Sequence, residues 1–98
     1  MITQCLLNQR EILANGTIQV RIAKNIFSDS GVLLDSKWHR ASLPPGSSVN
    51  EIAAAVDAHL VEMGYPALAP EDWDKVRQTA EVEWTPAVIS AFQAAAEI

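Results

Sequence analysis

The stretch Val32-Leu-Leu-Asp-Ser-Lys-Trp-His-Arg-Ala-Ser-Leu-Pro-Pro-Gly46 is the point at which the chain changes from β-strand patterns to helical patterns. Its two prolines cannot donate a hydrogen bond to a β-ladder, and the glycine after them allows a turn. The same stretch holds Trp38, His39 and Arg40 in succession, which is the densest group of recognition side chains in the sequence. It therefore closes a predicted sheet and begins a predicted helical layer.

Alternation and turn chemistry predict three strands in the first half of the chain. Residues 17–26 alternate apolar and polar side chains, the period of a half-buried strand. The Asn-Gly pair at residues 15–16 and the Ser-Asp-Ser-Gly run at residues 28–31 are typical hairpin turns. Residues 2–13 are apolar without clean alternation, so a strand is expected there but its register stays open. Residues 32–43 are expected to form the third strand, and a bulge or an exposed functional end would explain their irregular pattern.

Capping patterns predict three helices in the second half. Ser48 and Glu51 form a capping box, and an apolar stripe at spacings of three and four follows them. Pro70 and the two acidic residues after it suit the start of a second helix. Thr85 and Pro86 are the N-cap and first position of a third helix. We therefore expect a helical layer after the sheet.

The length of 98 residues supports one hydrophobic core. We expect a single α+β domain over residues 1–98, in which a three-stranded antiparallel β-meander (residues 1–46) packs against about three helices (residues 47–98). No apolar run approaches the roughly 18 residues that a membrane helix needs. The N-terminal residues do not resemble a secretory signal, so we expect a soluble protein that is used in the cytoplasm.

Charge is unevenly distributed along the chain, whose net charge is −5. Residues 1–48 carry five Lys and Arg against three acids, whereas residues 49–98 carry two against nine. Either the helices carry solvated acids, or a basic sheet face meets acidic helices within or between subunits. A nucleic acid duplex is not an expected partner, because binding it needs a net positive surface.

The sequence contains no catalytic or metal-binding pattern that we can name. Two histidines and one cysteine do not form a zinc motif, the four glycines do not form a phosphate loop, and no serine lies in a Gly-x-Ser-x-Gly turn. Cys5 is expected to be a small buried residue. We therefore expect a protein that is not an enzyme and needs no metal or cofactor.

Four side chains are the candidate binding residues: Trp38, His39, Arg40 and Arg21. On a strand, Trp38 and Arg40 share one face and His39 lies on the other. An indole beside a guanidinium can form an interface hot spot, or can hold an aromatic or anionic small ligand. Alternatively, Trp38 is a core anchor and Arg40 forms a salt bridge with an acidic helix. Arg21 on the adjacent strand supports the ligand interpretation if it faces the same side.

Two segments carry a family resemblance. They are His-Arg-Ala-Ser-Leu-Pro-Pro-Gly at residues 39–46, after a Val-Arg-Ile strand and a Ser-Asp-Ser-Gly turn, and Trp-Thr-Pro-Ala-Val-Ile-Ser-Ala-Phe-Gln-Ala-Ala at residues 84–95. This pattern resembles small uncharacterised proteins of tailed bacteriophages and prophages, encoded in the structural or late gene modules. Those proteins have a short acidic connection where this chain has residues 50–82, so partner surfaces are expected to differ there.

The resemblance implies a phage origin and a non-enzymatic role associated with the virion or with its assembly, in the host cytoplasm or the virion. We expect the chain to act through protein–protein contacts, as a homo-oligomer or with other phage structural proteins. The alternative is a small-ligand protein of phage origin that sequesters a nucleotide-type signal or antagonises host defence. In that case Arg21, Trp38, His39 and Arg40 are expected to line the pocket.

Overall fold

The computed structural model describes residues 1–96 and confirms the predicted α+β fold. Three strands form one antiparallel sheet in the order β1-β2-β3. The strands are β1 (Ile2–Ile12), β2 (Ile18–Phe27) and β3 (Leu33–Leu43). The helices are α1 (Val49–Glu62), α2 (Pro70–Glu83) and α3 (Pro86–Ala96).

The turn between β1 and β2 is shaped by Asn15 and Gly16. The Asn15 side-chain oxygen accepts a hydrogen bond from the Thr17 backbone N–H at 3.0 Å, while Gly16 has a φ of 91°, a conformation that favours glycine. A Cβ atom on Gly16 would lie 2.5 Å from Cγ1 of Val88 in α3. The glycine therefore allows both the turn and the close approach of α3.

Two bulges interrupt the sheet register. One lies at Asn8, because the β1–β2 pairing passes from Leu7 to Gln9. The other lies at Leu34, where the β2–β3 pairing shifts near the second hairpin. Residues 38–40 pair regularly with β2, so the Trp-His-Arg triplet is not the irregular part of β3.

α1 and α2 cover one face of the sheet, and α3 lies against the first hairpin, where Val88 approaches Gly16. α2 lies along β1, where Lys75 O and Thr79 Oγ1 accept hydrogen bonds from Arg10 at 3.1 and 2.9 Å, and α1 lies along β3. The core between sheet and helices is formed by the buried side chains Cys5, Ile18, Val20, Ile22, Leu43, Ala53, Val56, Leu60, Leu68, Trp73, Val76 and Ala80. Within residues 1–96, no helix is both long enough and apolar enough to cross a membrane.

Both remaining tryptophans tie the helical layer together through their indole N–H groups. Trp73 is 2% exposed and donates to both carboxylate oxygens of Asp57, at 3.0 and 3.1 Å. The Asp57 carboxylate also accepts the Leu68 backbone N–H at 3.1 Å, which fixes the connection between α1 and α2. Trp84 donates to the Gly16 carbonyl at 2.7 Å. The start of α3 is thereby held against the first hairpin.

Candidate interaction surface

The face of the sheet opposite the helices, called here the open face, has none of the three helices packed on it. Side chains alternate along each strand, so the residues between the core positions point to this face. Directly opposed residues form five rows across it. From the second hairpin to the first, these are the hairpin row (Ile2, Phe27, Leu33), the asparagine row (Gln4, Asn25, Ser36), the tryptophan row (Leu6, Ala23, Trp38), the arginine row (Gln9, Arg21, Arg40) and the outer row (Glu11, Gln19, Ser42).

Trp38 lies on the open face and is not a core residue, since 49% of its surface is exposed. Its neighbour Ala23 is only 6% exposed, because a methyl group between the larger side chains of its row is covered by them. The Arg21 guanidinium carbon lies 4.3 Å from the centroid of the Trp38 ring. Arg21 also donates from Nε and Nη2 to the Asn8 side-chain oxygen, at 3.2 and 3.0 Å. The indole and the bulge residue therefore hold one guanidinium in place.

Arg40 is exposed and lies directly opposite Arg21. Among residues 1–96, no carboxylate forms an ion pair with Arg40, and its guanidinium makes no hydrogen bond. No acid within residues 1–96 therefore forms the salt bridge that was considered as a structural role for Arg40. Two like charges directly opposed on a sheet destabilise it slightly, so the arginine row favours an incoming anion.

His39 lies on the helix-facing side of β3, half-buried beside His59 of α1, with ring centroids 5.4 Å apart. Burial lowers the pKa of His39 below its ordinary value, and the neighbouring His59 and Lys24 lower it further. The structure therefore brings Arg21, Trp38 and Arg40 together on the open face and places His39 on the opposite face.

Sequence reasoning missed Leu6 and Asn8 as members of this surface. Leu6 is 43% exposed and lies in the same row as Trp38. The bulge at Asn8 breaks the alternation of β1, which hid the face to which Leu6 belongs. Cys5, by contrast, is buried as expected, and burial raises the pKa of its thiol.

A shallow hollow of about 360 Å³ lies over the arginine and outer rows. The side chains that line it are Gln9, Glu11, Gln19, Arg21, Arg40 and Ser42. Val20 and Ala41 also line it, and since their side chains point to the helical layer, their backbone forms the floor. The hollow thus combines two cations, one carboxylate and three neutral polar groups.

In the part of the chain that the structure describes, no three His, Cys, Asp or Glu side chains converge as metal ligands would. Comparisons with protein-family models, with curated proteins and with solved structures found no match to this chain. The functional proposals therefore depend on the chemistry of the open face and on the resemblance carried by the sequence.

Proposed function

We propose that this chain is a non-enzymatic accessory protein of phage or prophage origin that acts through protein–protein contacts, and that a second copy of the chain binds its open face. The observation that carries the proposal is a sheet face without helices that exposes Trp38 and Leu6. Large exposed apolar side chains gathered on one face are typical of an interaction site. A virion-associated or assembly role follows from the phage resemblance.

The order of the rows makes the open face self-complementary. The hairpin and tryptophan rows are apolar, and the asparagine row between them is polar. A two-fold axis that lies in the interface and crosses the strands at the asparagine row would place each apolar row on the other apolar row of the second copy. The polar row would then meet its own counterpart, where amide and hydroxyl groups can exchange hydrogen bonds. Such symmetric pairing is the commonest form of homo-oligomer.

Other positions or directions of the two-fold axis bring less complementary rows of the two copies together. An axis at the tryptophan row would place the polar outer row on the apolar hairpin row. An axis parallel to the strands would place Arg21 of one copy at the level of Arg21 of the other, and like charges in an interface are repulsive. The axis at the asparagine row keeps the two arginine rows at opposite ends of the interface.

The size of the overlap favours a weak dimer. With the axis at the asparagine row, the three strands overlap only from the tryptophan row to the hairpin row, which is five residues of β2. This overlap measures roughly 17 by 14 Å, from the usual rise and spacing of strands. The area buried over both copies is larger than this projection because side chains protrude from the sheet, but it stays below the roughly 1,200 Å² of stable interfaces. We therefore expect weak self-association, with a dissociation constant in the high-micromolar range.

The test is light scattering coupled to size-exclusion chromatography over the micromolar range. We expect a dimer whose dissociation constant increases at least about tenfold in Trp38→Glu, which corresponds to about 1.4 kcal/mol. The matched control is Val82→Glu, which also introduces a carboxylate at an exposed apolar residue, 72% exposed on α2. A wild-type monomer throughout, or a dimer weakened equally by both substitutions, would refute the proposed interface. Genes for tail or capsid proteins on both sides of the coding sequence would support the phage role.

The small-ligand alternative is favoured by a separate feature, the hollow over the arginine and outer rows. It lies mainly beyond the region that the second copy would cover. The two functions are therefore compatible.

A further inference from the structure

We infer that the hollow over the arginine and outer rows is a binding site for a small molecule that carries a phosphate-type oxyanion together with hydroxyl or amine groups. This inference goes beyond the proposed self-association and does not depend on it. It is carried by two opposed guanidinium groups without a carboxylate partner among residues 1–96, at the edge of a polar concavity of ligand size.

Arg21 is pre-organised for such a ligand. Trp38 supports its guanidinium at 4.3 Å, and two of its nitrogens bond to Asn8. The remaining nitrogen, Nη1, makes no hydrogen bond within residues 1–96, and the Arg21 side chain lines the hollow. Because the side chain is already held, less conformational entropy is lost when an anion binds to it.

Arg40 completes the pair from the neighbouring strand. Its guanidinium has all of its donors free of partners in the described chain, and a planar guanidinium matches two oxygens of a phosphate or carboxylate group. An oxyanion between the two arginines would neutralise the repulsion of like charges across β2 and β3. The two side chains therefore select negative charge, although the chain as a whole is acidic.

The other polar side chains indicate more than a bare anion. The amides of Gln9 and Gln19 and the hydroxyl of Ser42 can each donate or accept a hydrogen bond. Glu11 is exposed and its carboxylate only accepts hydrogen bonds, so it complements a ligand that carries a donor. A sugar hydroxyl or an amine attached to the oxyanion would supply that donor. The volume of about 360 Å³ lies at the lower end of the range for small-molecule sites.

The test is isothermal titration of the full chain with adenosine monophosphate, with adenosine as the control that lacks the oxyanion. We expect adenosine monophosphate to bind and adenosine not to bind. Arg40→Gln should weaken binding at least about tenfold, equivalent to about 1.4 kcal/mol. Lys37→Gln is the matched control, because Lys37 is an exposed cation on the same strand whose register position places it on the helix-facing side.

Inorganic phosphate is the second probe. We expect it to bind more weakly than adenosine monophosphate but with the same dependence on Arg40, since it contacts the arginines but lacks the ribose hydroxyls and the amine that the other polar side chains of the hollow can bind. No heat from either anion up to millimolar concentration would overturn the inference. Equal losses in Arg40→Gln and Lys37→Gln would also overturn it, by showing a general charge effect. Failure of self-association would leave these titrations unchanged, so the two proposals can fail separately.

Discussion

The Asp57 carboxylate links α1 to α2 and to the connection between them, and Asp57→Ala tests how much this link stabilises the helical layer. The carboxylate accepts two hydrogen bonds from the Trp73 indole N–H and one from the Leu68 backbone N–H. Both donor residues are almost fully buried, at 2% and 3% exposure. Replacement by alanine would leave both donors without their partner.

The expected loss of stability follows from the two buried N–H donors that lose their acceptor. A buried donor left unsatisfied costs about 1–3 kcal/mol. Asp57 itself is only half-buried, so water can reach part of the vacated space, and we take the lower part of that range for each donor. The loss of unfolding free energy is then about 2–4 kcal/mol, out of the roughly 5–15 kcal/mol typical of a domain. The melting temperature should fall by about 8–32 °C, at 4–8 °C per kcal/mol for a domain of this size.

Urea unfolding followed by far-ultraviolet circular dichroism is the assay. The control is Asp74→Ala, which removes an exposed carboxylate of α2 whose ion pair with Arg77, at 2.6 Å, lies at the surface. Exposed pairs of this kind contribute at most about 1 kcal/mol. If Asp57→Ala and Asp74→Ala unfold at the same urea concentration, the Asp57 hydrogen bonds do not stabilise the α1–α2 connection and the reasoning is refuted.

Two further predictions concern the sheet. Because the pKa of His39 is lowered in the folded chain, the unfolded state binds more protons below the ordinary value of about 6.5, and stability should fall as the pH drops through that value. His39→Gln should flatten this dependence in urea unfolding between about pH 5 and 7, and identical slopes in the two proteins would contradict the assignment. Gly16→Ala should destabilise more than Gly31→Ala, since both glycines have positive φ but only Gly16 has α3 within 4 Å of an added Cβ. Equal melting temperatures for the two variants would contradict this prediction, because they would show that the first hairpin and α3 accommodate the added methyl group without extra cost in stability.

The elements of this fold were predictable because their signals are local. Turn residues, the alternation around Val20 and the Ser48 cap each act within a few positions, and the structure places strands and helices accordingly. The open face was only partly predictable. Alternation placed Trp38 and Arg40 on one side of β3, but the contact between Arg21 and Trp38 depends on the pairing register and the twist of two strands. No local sequence signal marks the bulge at Asn8, so the alternation of β1 did not show to which face of the sheet Leu6 belongs.

The charge distribution offers a second way for copies to associate, and the apolar rows argue against it. The open face carries Arg21 and Arg40, while most acids lie on the helices, so the open face of one copy could stack on the helical layer of the next. Such a head-to-tail contact does not close and would build filaments. It would also require apolar side chains on the outer helical surface to match the tryptophan and hairpin rows. The large apolar side chains most exposed there, Val61 and Val82, lie on different helices. A stack would therefore depend on charge and weaken strongly with salt, whereas the two-fold dimer buries apolar rows and should keep its affinity as the ionic strength rises.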